Sequence, residues 1–196
     1  LGTVNKRYPF NLNGFHANIS IALAKKCGVN DPDIDAAIEG AARFFGYTPN
    51  KAGEPPPWPF HDNNAKHPLV ALLFSILNDR PDETKFFAQN ALISHTNREC
   101  GHVGQGFSYL WGPLGVNVGG RDATISYFKQ ISWHLDLARR CDGTFALDGC
   151  EESGFGRTRE NTYFGKSNYN GLGANAAFVL LYSLPSVSYT HLTLPT

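Results

Sequence analysis

The chain has 196 residues, 42% hydrophobic and 17% charged, with 17 basic side chains against 17 acidic ones and a net charge of zero. That length suits one sizeable domain around a single core. With no basic run, neither nucleic acid nor an anionic membrane has an electrostatic reason to bind, and no apolar run approaches the roughly 18 residues of a membrane span.

The chain contains no methionine and opens on LGTVNKRYPF, without a leader pattern. The expectation is a fragment truncated at both ends. Val187 to Thr196, VSYTHLTLPT, resembles the translated reverse complement of a common sequencing adapter and is expected to be a non-native tail. Residues 1–186 are then part of one domain, whose other partners would be further repeats of its own parent chain. The compartment is left open, an extracytoplasmic one included. Cys27 is expected to be a small core residue at a helix end. Cys141 and Cys150 bracket DGTFALDG, which a disulfide would close in an oxidising compartment; two free thiols are the alternative.

In chain order, Phe15, Ile19, Ala22, Leu23 and Cys27 recur at helical spacing, and Gly28 follows as a stop. Asp31 and Pro32 open a second helix as N-cap and first helical residue. Its apolar stripe is Ile34, Ile38, Ala41 and Phe45, and Gly46 ends it. The short link predicts an antiparallel hairpin. Tyr47 to His67 holds five prolines and reads as a long loop. Pro68 starts a helix, LVALLFSILN, apolar on nearly every face and so expected to be buried all round. Asn78 to Arg80 turn the chain, and Pro81 opens the partner helix with acids in its first turn.

Glu99 to Gly120, ECGHVGQGFSYLWGPLGVNVGG, follows, with seven glycines in 22 residues. Such density marks special dihedrals or close backbone approach, and a short aromatic helix is expected around Phe107 to Trp111. Arg121 to Arg140 reads as an amphipathic helix with Ile125, Phe128 and Leu135 inward. A short hairpin could form at Thr144 to Leu147, and a last helix spans Ala174 to Leu184. The order is helix, short turn, helix, long loop, three times over, with a fourth pair beginning. Hairpins that cannot bury a face alone stack on their neighbours. The fold expected is all-α, part of an α/α toroid whose long loops gather on one rim.

Several phrases carry a resemblance. DGTF, Asp142 to Phe145, after a helix ending DLARR, resembles the helix-end signature of α/α-toroid proteins. HDNNAK, GHVGQGFSYLWGPLG and WHLDLARRCDG are similar to a bacterial family known only as a domain of unknown function. The resemblance covers most of Asn11 to Leu184 and implies a toroid fold with no established activity. Related toroids include terpenoid cyclases, protein prenyltransferase β-subunits, lanthipeptide cyclases and carbohydrate-active enzymes, and fold alone does not choose among them.

Terpenoid cyclisation needs clustered carboxylates, and Asp31, Asp33 and Asp35 read instead as N-cap and first-turn acids. Zinc as a cofactor would need Cys100, His102 and His61 to meet around an open position, and His61 with His67 is a weaker pair. A hydrogen-bonded His102 and a buried Cys100 are the plainer alternative. No strand or Lys-Ser/Thr accompanies the GxxGxG spacing of Gly101, Gly104 and Gly106, which argues against nucleotide binding. The loops supply His61, Asp62, Asn63, Asn64, His102, Tyr109, Trp111 and Asp142, a mixture suited to a polar, ringed ligand such as a polysaccharide. The expectation is a rim pocket in which His61, Asp62, His102 and Tyr109 form the catalytic set. Asn63, Asn64, Trp111 and Asp142 would bind substrate. A non-catalytic binding or scaffold module is the alternative from a different class, and a zinc-dependent enzyme like the lanthipeptide cyclases is a third.

Overall fold

The computed structural model describes residues 12–46, 65–93, 106–145, 176 and 178–184. These are all-α, apart from a single β-bridge pairing Arg139 with Phe145. Six helices fall into three pairs: α1 (Leu12–Lys26) with α2 (Pro32–Gly46), α3 (Lys66–Leu77) with α4 (Pro81–Ile93), and α5 (Gly106–Asn117) with α6 (Arg121–Ala138). A further helical segment covers residues 178–184.

The first pair shows why the links are short. The Asp31 carboxylate accepts from the Asp33 amide at 2.9 Å, capping α2, and Gly28 takes φ +92° in the turn. The Phe15 and Phe45 rings stack at 5.3 Å, while Lys25 pairs with Asp35 at the opposite ends of the same two helices. Those two contacts fix the helices as antiparallel. The ion pair is half exposed and contributes little; the stacked rings, in the core with Ile19, Ala22 and Ala42, hold the pair. Cys27 does not join them. It lies beyond the last turn of α1, bonded through its amide to the Leu23 carbonyl, and is an exposed free thiol.

Packing converges on α3, which touches α1, α4 and α5. Pro68, Leu69, Val70, Ala71, Leu73 and Phe74 are buried, and no residue from Pro68 to Leu77 is exposed. The all-round burial expected from its apolar sequence is what the structure has. The helix begins two residues before Pro68, at Lys66. A proline in the third helical position removes no intrahelical bond, because the first four amides have no partner within the helix.

The largest departure from expectation is α5. The short aromatic helix expected around Phe107 to Trp111 is 12 residues long and runs on through Gly112, Pro113 and Gly115. Pro113 deprives the Tyr109 carbonyl of its i+4 amide, a cost of about 3 kcal/mol or more in a helix interior. Tertiary contact offsets it. A Cβ on Gly115 would stand 2.2 Å from the Cα and carbonyl oxygen of Pro68, and one on Gly112 would stand 2.2 Å from the Tyr127 hydroxyl. The two glycines are therefore absences of side chain that let α5 lie backbone-close to α3 and against α6.

The inward face of α6 is Thr124, Tyr127, Ile131, His134 and Leu135, with Phe128 half-buried and Ile125 40% exposed. The expected stripe thus keeps Leu135 but is turned away from Ile125. Thr124 is satisfied by donating to the Gly120 carbonyl at 2.9 Å. After α6 the chain reverses through Asp142 and Gly143: the Arg140 amide donates to the Thr144 carbonyl at 2.7 Å. Phe145 then stacks on Phe178 at 4.7 Å, joining residues 178–184 to the core around α5 and α6. Of the expected hairpin at Thr144 to Leu147, the residues after Phe145 lie outside the described ones. Cys141 is an exposed free thiol, and Cys150 lies outside the described residues.

Gly115→Ala should destabilise the fold by about 2–3 kcal/mol or more, because rigid backbone faces it. Gly40→Ala, in α2 with nothing within 4 Å, should stabilise by about 0.5–1 kcal/mol. Urea denaturation of both variants checks the contrast; equal midpoints would refute the close-packing account of α5.

Candidate functional site

Tyr109 and Trp111 sit two residues apart on α5, which turns their side chains roughly 200° from one another. The structure does not bring them together. Tyr109 points at α6, is 4% exposed, and stacks face to face on His134 with ring centroids 4.2 Å apart and planes 5° apart. His134 is itself 5% exposed. Trp111 points the other way, half-buried against the core built by α1 to α4. It meets the His16 ring of α1 edge-on at 4.9 Å, and its Nε1 is buried without a hydrogen-bond partner.

Asp142 is placed by its own turn. Its carboxylate accepts from the Thr144 hydroxyl at 2.7 Å and from the Thr144 amide at 2.9 Å, a local Asx arrangement. The Thr144 hydroxyl first, and the backbone amide after it, hold the Asp142 carboxyl below the usual carboxylate range. The group is exposed and stays ionised. His61, Asp62, Asn63, Asn64, Cys100 and His102 lie outside the described residues. Among the described residues, no three His, Cys, Asp or Glu side chains gather as a metal site, and no helix is long and apolar enough to cross a membrane.

Three polar residues of this core, His16, Ser108 and His134, have no role in the sequence reading, and a fourth, His67, enters it only as the weaker zinc partner of His61. His134 is three and seven positions from Ile131 and Tyr127, so its place on the inward stripe of α6 was legible once that stripe was phased. His67, expected at the end of the long loop, lies instead in the first turn of α3, which starts at Lys66. Its ring leans on Phe87 at 6.0 Å, and its Nδ1 is shielded from solvent. Burial, reinforced by the neighbouring Lys66 ammonium, lowers its pKa to about 4 from 6.5. At neutral pH His67 is an uncharged imidazole, able to donate or accept a hydrogen bond but not to supply a cation.

Residues 2–192 match the family described as a domain of unknown function (DUF6288). The chain belongs to that family. No curated protein and no solved structure matches it. Chemically, the described part of this DUF6288 domain offers an aromatic edge at Trp111 and His16, with neutral donors on α5. Asp142 is committed to a turn and Tyr109 to a buried stack.

The depressed pKa of His67 has a signed consequence. Between the folded value of about 4 and the unfolded value of 6.5 the unfolded chain binds more protons. Stability is therefore complete above pH 6.5 and falls as pH drops toward 4, by an amount on the order of 2–3 kcal/mol. Urea midpoints from pH 7.5 to 4 should show this slope, and His67→Gln should flatten it. An unchanged slope in the variant would place the titrating group elsewhere.

Proposed function

We propose that this domain is built as part of an α/α toroid and binds a carbohydrate or related polar polymer beside α1, α3 and α5. Three consecutive hairpins with short internal links and longer connections between them support the toroid. So does the packing of the first helices, α3 lying against both α1 and α5. The observation that carries the ligand reading is Trp111: a half-exposed indole with an unpartnered N–H and a histidine ring beside it. An aromatic face with a polar handle is what a ringed, hydroxyl-bearing ligand uses. His61, Asp62 and His102 are the acid, base or nucleophile candidates of the catalytic version. Asn63 and Asn64 are its further polar contacts.

Burial of Tyr109 favours the second reading, a binding module without catalysis, because a phenol sealed in a stack with His134 cannot reach a substrate without leaving the core. The two readings separate experimentally. Retention on polysaccharide-containing gels should be lost in Trp111→Ala under either one. Release of reducing ends or unsaturated products should be lost in His61→Ala or His102→Ala only if the domain is an enzyme. Retention that survives Trp111→Ala, in a folded variant, would refute the ligand assignment altogether.

A further inference from the structure

Two polar atoms on α5 are sealed from solvent without a hydrogen-bond partner: the Ser108 hydroxyl and the Trp111 Nε1. Ser108 is 1% exposed. Buried polar groups are nearly always paired, so two orphans on one helix call for a cause. The residues are three apart, which makes them neighbours on one helical face, about 4.5 Å apart along the axis. Long helical side chains lean back over the preceding turn, and the turn preceding Trp111 contains Ser108. The indole N–H and the serine hydroxyl thus belong to the same patch of α5.

We infer that Ser108 and Trp111 are a pair of ligand-facing donors, and that the ligand they take is a neutral sugar ring rather than an acidic one. This rests on the carbohydrate reading above and narrows it. The indole N–H can only donate, whereas the serine hydroxyl donates or accepts. A ring hydroxyl satisfies either, and adjacent hydroxyls satisfy both at once. A uronate would bring a carboxylate into a buried place. That is costly without a counter-charge, and no Lys or Arg among the described residues is buried. Because both atoms are shielded, binding is coupled to a widening of the seam between α1 and α5. There the His16 and Trp111 rings meet only edge-on. Recognition by groups that would otherwise go unpaired also discriminates: a sugar lacking the matching hydroxyl restores the orphans and loses affinity.

Calorimetric titration of the intact chain with cellohexaose, xylohexaose, maltohexaose and hexagalacturonate tests this, beside the Ser108→Ala and Trp111→Phe variants. At least one neutral hexasaccharide should bind, and hexagalacturonate should not. Each variant should weaken the neutral ligand by about 5–10-fold, one hydrogen bond's worth. The melting temperature of ligand-free Ser108→Ala should be unchanged or higher, because the substitution removes an unpaired hydroxyl. Trp111→Phe keeps one aromatic ring but loses the N–H together with part of the indole's packing surface, so Ser108→Ala, which removes only a hydroxyl, is the cleaner of the two tests. Unchanged affinity in both variants, with binding still abolished by Trp111→Ala, overturns the donor pair alone. Tighter binding of hexagalacturonate overturns the neutral-sugar assignment. Failure of all four sugars to bind the wild-type chain overturns the carbohydrate reading itself.

Discussion

The contact on which the rest of this domain depends is the backbone-to-backbone approach of α5 to the first turn of α3. With no Cβ on Gly115, the Pro68 backbone fills the space a side chain would take. Dispersion energy falls off over fractions of an ångström, so such an approach gains contacts that no alanine could give. It also sets where everything on α5 points. Trp111, one turn before Gly115, is delivered to the core of α1 to α4; Tyr109 and Val116 are delivered to the core of α5, α6 and residues 178–184. One helix with two glycine-lined sides thereby joins two apolar clusters.

Both clusters carry polar groups where pure packing would have placed hydrocarbon. His134 lies under the Tyr109 ring, His67 beside Phe87, and Ser108 and Trp111 point polar atoms inward. Each costs desolvation, and stability alone gives no reason to keep them. Ser108 and Trp111 lie on α5, and Tyr109 of the same helix covers His134, so the helix that organises the packing is also the one on which the proposed ligand would bind.

Much of the helical skeleton was legible. Asp31-Pro32 and Pro81 marked true helix starts, Gly28 marked a true stop, and the apolar run after Pro68 was buried as its composition required. What failed did so for tertiary reasons. Gly112, Pro113 and Gly115 argue locally against a helix, and only the facing Tyr127 and Pro68 reverse that. On α6, the apolar residues Ile125, Tyr127, Phe128, Ile131, Trp133, Leu135 and Leu137 fit more than one stripe. The chosen phase includes Thr124 and His134, because Gly120 and Tyr109 supply their partners. The site was legible only in part. Trp111 kept a candidate role, whereas Tyr109 was grouped with it by nearness in sequence, which a helix converts into opposite directions.

The Gly112 contact also constrains how the sequence can change over time. Its missing Cβ would fall 2.2 Å from the Tyr127 hydroxyl oxygen and 3.1 Å from the ring carbon that bears it. Loss of that oxygen alone relieves the nearer clash and leaves the second tight. An alanine at 112 is thus accommodated far more readily once residue 127 has lost its hydroxyl. The reverse path, enlarging α5 first, passes through a misfit. Gly112 and Tyr127 form an ordered pair of historical steps, and the faces of α5 and α6 must drift together.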